Sequence, residues 1–85
     1  MWFVYIAKCA DLSLYTWITT DLEKREKQHN WILPWWAKYT LSRIPVKIVY
    51  FEEWKNRSLA TKREIEIKKM KRLQKLKLIW ENFLQ

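Results

Sequence analysis

The chain contains no glycine at all. Ordinary usage of about 7% predicts roughly six in a chain this long. Every turn must therefore be closed by a residue carrying a β-carbon, which costs about 1–2 kcal/mol wherever φ is positive. There is one cysteine, Cys9. That excludes an internal disulfide framework and a cysteine-rich zinc site, and it suits a reducing compartment; a lone thiol reads as a small apolar filler. No apolar run approaches the roughly 20 residues a membrane-spanning helix needs. Met1–Ala7 has no basic stretch ahead of it and no small-residue cleavage site after it, so it does not read as a secretory signal. The expectation is a cytoplasmic protein with no membrane association.

What is present is unevenly distributed. Apolar residues make up 49% of the 85 and charged residues 31%, enough to bury one core and too short for two. We therefore expect a single domain over residues 1–85. Net charge is +8. Residues 1–55 hold 8 basic and 6 acidic side chains (+2), and residues 56–85 hold 9 and 3 (+6), so the positive field gathers in the C-terminal third. Such a field suits a polyanion such as DNA, although a solvated basic helix would have the same composition. Seven tryptophans stand at positions 2, 17, 31, 35, 36, 54 and 80.

Trp2-Phe3-Val4-Tyr5-Ile6-Ala7 is β-branched and aromatic and reads as a buried strand. Asp11-Leu12-Ser13 occupies the place of a turn, with Leu12 a poor residue for it, and residues 14–19 form the second arm of a hairpin. Thr20 or Asp21 caps a helix running through His29. Pro34 and Pro45 break an irregular stretch over 31–45. Residues 46–51 suit a third strand. Asn56 or Ser58 opens a helix through about Met70, and Leu73, Leu76, Ile79, Trp80 and Phe83 mark a final amphipathic one. Periodicity does not decide whether these two helices are broken near Lys71. The order is ββαβαα.

The motifs arrive in a familiar order. Phe3-Val4-Tyr5 is followed by Tyr15-Thr16-Trp17, then Asp21-Leu22-Glu23-Lys24-Arg25 and His29-Asn30. Ala37-Lys38-Tyr39-Thr40, Pro45 through Glu53 and Lys62 through Lys69 continue the series. Together they resemble the GIY-YIG nuclease superfamily, and more closely its small stand-alone bacterial members, over nearly the whole chain. The resemblance implies an α+β fold, a small mixed three-stranded sheet flanked by helices, and metal-dependent cleavage of phosphodiesters.

It also implies roles. Tyr5 and Tyr15 are the tyrosines of the two name motifs, one of them orienting or helping to deprotonate the attacking water. Arg25 stabilises charge developing on the phosphate, and Glu64 is the side-chain ligand of a divalent ion, Mg²⁺. His29 and Tyr39 lie nearby as acid–base or phosphate-positioning groups. Such parts suit phosphoryl chemistry, which is mostly positioning and charge stabilisation. Each residue also has a plainer reading. Tyr5 and Tyr15 could be a cross-strand aromatic pair, Arg25 a solvated helix residue, His29 a helix C-terminal cap, and Glu64 a surface ion pair. The lysines of 68–77 could be the wet side of a helix.

The departures from the family pattern share one direction. Trp17 and Leu12 stand where the family has glycine, Trp31-Ile32-Leu33-Pro34-Trp35-Trp36 replaces a short polar loop, and Leu41 and Ile44 stand where basic residues are common. If these positions ring one face, Trp17, Trp31, Ile32, Leu33, Trp35, Trp36, Leu41 and Ile44 form an apolar surface for a protein partner or a second copy of the chain. Catalysis there would be impaired, because an indole fills volume that glycine leaves open. Two alternatives stand beside this reading: an active Mg²⁺-dependent, structure-directed DNA endonuclease, and a loop folded down as a lid. Stacking of single-stranded bases on the indoles ranks lower, since the loop itself carries no lysine or arginine. Complete loss of glycine, with bulky residues at the family's glycine positions, reads either as engineering or as a divergent natural nuclease.

Overall fold

A computed structural model describes residues 1–30 and 45–83. Trp31 through Ile44, and with them most of the expected apolar surface and Tyr39, lie outside the described residues, as do the side chains of His29, Asn30 and Phe83. The elements are β1 (Trp2–Lys8), β2 (Leu14–Thr19), α1 (Leu22–Asn30), β3 (Lys47–Trp54), α2 (Arg57–Lys68) and α3 (Arg72–Phe83). The order ββαβαα is the expected one.

The strands lie in the order β2-β1-β3. Strand β1 pairs antiparallel with both neighbours, so the sheet is antiparallel throughout and not mixed. The connection through α1 does bring β3 back in the direction of β2, but β1 lies between the two. Two parallel-running strands therefore never become neighbours.

Central position explains the composition of β1. Val4, Tyr5, Ile6 and Ala7 are all fully buried because both faces of the strand are covered. On one face Val4 and Ile6 join Tyr50, Ala60 and Ile67, with Leu78 and Ile79 packed against them, so α2 and α3 cover this side. On the other, Tyr5, Ala7, Cys9 and Val46 are buried with Tyr15, Trp17, Leu22 and Ile48 against them, and α1 reaches this side through Leu22. We call these the helix-pair face and the tyrosine face.

Local chemistry sets the boundaries. The β1–β2 hairpin closes with the Cys9 amide donating to the Ser13 carbonyl at 3.0 Å and the Leu12 amide to the Cys9 carbonyl at 2.9 Å. Leu12 has φ 70°, the left-handed value glycine would supply. Asp21 caps α1, its carboxylate accepting from the Lys24 amide at 3.0 Å. Asn56 caps α2 in the same way, accepting from the Leu59 amide at 2.9 Å. The two C-terminal helices are indeed broken after Lys68. The Gln74 side chain reaches back to the Lys71 amide at 2.9 Å and starts α3 afresh, as in a capping box.

Two sequence expectations change. Strand β3 runs to Trp54 instead of stopping at Phe51, with an irregularity opposite Ile6/Ala7. Helix α3 turns Leu78 and Ile79 inward, while Leu73 and Trp80 are 80% and 60% exposed, so they do not mark its buried face. The added part of β3 carries Glu52, which accepts bonds from Arg63 Nε at 2.9 Å and Nη2 at 2.9 Å. It accepts others from Trp54 Nε1 at 3.2 Å and from the Tyr50 hydroxyl. A carboxylate beside the core is tolerated because four donors and a cation meet it. Burial by itself would raise its pKa, but the bonds from Arg63 and Tyr50 and the guanidinium charge outweigh that and hold it below 4.5.

Candidate active site on the tyrosine face

Strand pairing builds the site. Tyr5 lies opposite Trp17 on β2 and opposite Phe51 on β3, while Tyr15 lies opposite Ala7. The two tyrosines are therefore diagonal neighbours on one face, not a directly facing pair, and Trp17 connects them. Its ring is parallel to that of Tyr15, with centroids 5.3 Å apart and planes at 10°. It is tilted against Tyr5, 6.0 Å away. Both contacts fall in the range where aromatic rings attract beyond simple burial. Tyr5 is wholly buried, while Tyr15 and Trp17 are half-buried.

Charge converges on Tyr5. Burial pushes its hydroxyl well above the ordinary phenol range. The Arg25 guanidinium acts against that shift and the Glu64 carboxylate adds to it, so both groups lie within electrostatic reach of this one proton. Arg25 is placed by the first turns of α1, where its amide bonds the Asp21 carbonyl at 3.0 Å. It is half-buried and lines a polar hollow of about 150 Å³ with Thr19, Thr20, Asp21, Lys24 and Gln28. Helix α1 is held to the sheet by Glu26, whose carboxylate accepts from the Ile48 amide at 2.7 Å. His29 falls in the last turn of the same helix.

Glu64 comes from α2. Its side chain is 15% exposed and pairs with Lys68 Nζ at 3.3 Å, one helical turn on. The ion-pair reading of Glu64 is therefore realised together with its placement near Tyr5. Among the described residues no three histidine, cysteine, aspartate or glutamate side chains gather as a cation cage. One carboxylate fits Mg²⁺ nonetheless, because that ion keeps several waters and takes further oxygens from a phosphate. The fit requires Lys68 to yield its place beside the carboxylate.

Tyr5, Tyr15, Trp17, Arg25 and Glu64 are thus brought together, while Tyr39, Trp31, Ile32, Leu33, Trp35, Trp36, Leu41 and Ile44 lie outside the described residues. Sequence reasoning missed the bond that Glu26 accepts from the Ile48 amide and the neighbourhood of Lys68. The i,i+4 spacing of Glu64 and Lys68 was the available signal for the second; nothing local marks the first.

A three-stranded antiparallel sheet with two tyrosines on one face, and an arginine and a helical glutamate within electrostatic reach of one of them, defines a nuclease-type α+β domain. The profile of the GIY-YIG catalytic domain matches residues 1–77. The chain belongs to the GIY-YIG domain family. Among its relatives, UPF0213 protein CPE1444 of Clostridium perfringens is 56% identical over 77 residues, covering 91% of this chain and 81% of the relative. The UPF0213 protein of Syntrophus aciditrophicus is 49% identical over 80 residues, 94% of this chain and 91% of the relative. The solution NMR structure of UPF0213 protein BH0048 from Bacillus halodurans is similar with a TM-score of 0.57 at 36% identity, covering 93% of this chain and 83% of that one. No helix among the described residues is long and apolar enough to cross a membrane.

Proposed function

We propose that this GIY-YIG domain works as a binding module, its tyrosine face docking a protein partner or a second copy of the chain, with phosphodiester cleavage impaired. The observation that carries the reading is the indole of Trp17, directly opposite Tyr5 and stacked on Tyr15. An indole at that register covers the hydroxyl-bearing ring that a substrate phosphate would have to approach. Half-buried aromatic rings of this kind are the usual anchors of protein interfaces, and the sequence places five more apolar residues between 31 and 36.

The test is incubation of the protein with Mg²⁺ and nicked or branched DNA, beside Trp17→Gly and Glu64→Ala variants. The expected result is no cleavage by the parent above the Glu64→Ala background, and a gain for Trp17→Gly. Cleavage by the parent that Glu64→Ala abolishes would overturn the reading. Light scattering over a dilution series then separates self-association from a need for another protein.

A second reading, a Mg²⁺-dependent structure-directed endonuclease, is favoured by the joint action of Arg25 and Glu64 on Tyr5. In that reading Glu64 holds the ion, which when bound supplies positive charge to phosphate oxygens. Arg25 offers its planar donors to the same phosphate, and Tyr5, still protonated, orients a neighbour by donating a hydrogen bond.

A further inference from the structure

Helix α2 turns a mixed stripe toward the sheet. Ala60, Arg63, Glu64 and Ile67 are spaced i, i+3, i+4 and i+7, which is one face of a helix. The outer two are the residues that α2 buries completely. The inner two are charged, with side chains 22% and 15% exposed. They diverge. Arg63 reaches β3, where Glu52 accepts from its Nε at 2.9 and 3.1 Å and from its Nη2 at 2.9 Å. Glu64 turns to the other side: its partner Lys68 lines a hollow with residues of β2, and β1 separates β2 from β3.

The contact with Glu52 fixes more than a distance. Two nitrogens of a planar guanidinium meet both oxygens of one carboxylate, a geometry that a turn of either group breaks. The carboxylate is itself held, accepting from Trp54 Nε1 at 3.2 Å and from the Tyr50 hydroxyl. The rival acid, Glu66, stands 3.9 Å from Arg63 Nη1 with its side chain 63% exposed, too loose to orient the guanidinium. Apolar packing by itself sets the roll of α2 weakly, since Ala60 brings only a methyl group and Ile67 lies two turns on. Arg63 and Glu64 leave the helix about 100° apart, so a roll that frees one carries the other from its place.

We propose that Arg63 is a positioning residue: clamped on Glu52, it sets the roll of α2 that puts the Glu64 carboxylate at the candidate site. Arg63 acts through Glu64 and not on a ligand. The inference rests on the reading of Glu64 as part of the site, and it names the residue that places it there. A salt bridge that only stabilised the fold would, when broken, lower the melting temperature and leave the surroundings of Tyr5 as they are. A clamp that sets the roll of the helix changes what Tyr5 feels while the fold persists.

The experiment is a pH titration by fluorine NMR of protein carrying fluorinated tyrosine, whose phenol ionises at lower pH than that of tyrosine, with Tyr5→Phe assigning the Tyr5 signal. Glu64 raises the proton affinity of Tyr5, so Glu64→Gln should move its titration to lower pH. Arg63→Met should move it the same way, although loss of a cation alone would move it to higher pH. Arg63→Lys should do so too, because it keeps the charge and loses the fork; it carries the test if Arg63→Met does not fold, which the amide spectrum shows. Arg57→Met, which removes a charge from the exposed first turn of the same helix, should not lower the titration. Either folded Arg63 variant titrating at or above the pH of the parent overturns the proposal and leaves Glu64 in the site. No response to Glu64→Gln overturns the reading of Glu64 at the site, and the proposal with it.

Discussion

Leu12 offers a sharp test of the reasoning, because a single backbone angle sets the sign of the expected effect. Its φ is 70°, and it is the one residue with positive φ among those described. Replacing it by glycine and by alanine removes the leucine side chain in both cases, so the comparison isolates the backbone. Glycine relieves the left-handed penalty of about 1–2 kcal/mol that alanine retains. Against this, glycine gives the unfolded chain more freedom to lose, worth about 0.5–1 kcal/mol. Leu12→Gly should therefore be more stable than Leu12→Ala by about 0.5–1 kcal/mol, or about 2–8 °C in Tm for a domain of this size. Thermal unfolding followed by circular dichroism measures the difference. The same pair of substitutions at exposed Lys8, where φ is not positive, should show the ordinary order, with glycine the weaker. If alanine matches or exceeds glycine at position 12, the hairpin is not strained there, and the account of how a glycine-free chain closes this turn fails.

Other expectations follow from the polar cluster and the buried phenols. Arg63→Met removes the cation facing Glu52, whose side chain is only 18% exposed, and should cost about 2 kcal/mol, seen as a lower urea midpoint. The depressed pKa of Glu52 stabilises the fold above about 4.5, so Tm should drop as pH falls below that value, and by less in Glu52→Gln. Tyr50 is pushed up to about 12, chiefly by burial and its bond to Glu52, and burial lifts Tyr5 as well. Because unfolded tyrosine ionises near 10, stability should decline between pH 10 and 12, with late phenolate absorbance at 295 nm that Tyr50→Phe reduces.

Much of the architecture was legible in the chain. The hydrophobic run at 2–7, the hairpin to 19, the cap at Asp21 and the cap at Asn56 are local signals, read from a residue and its near neighbours. The extension of β3 was not legible, because Glu52-Glu53 looks like a strand ending in solvent until Arg63, eleven residues on, is folded against it. The inward face of α3 was read correctly at Ile79 and misread at Leu73, Leu76 and Trp80 for a related reason. Leu73, Leu76 and Trp80 share a helical face as well as Leu78 and Ile79 do, and only the sheet determines which side is covered.

The candidate site divides along the same line. Sequence by itself determined the residue types, their order and their placement on strand or helix, because backbone preference and side-chain period act over a few residues. Tertiary structure decided that Trp17 faces Tyr5 and stacks on Tyr15, that Arg25 and Glu64 lie within electrostatic reach of one hydroxyl, and that Lys68 and Lys75 line one hollow with Trp17. Those meetings depend on strand register and helix packing between segments dozens of residues apart, where closing the chain and burying area set the geometry. Lysines supplied from two helices far along the chain are invisible to any pattern read around the tryptophan itself.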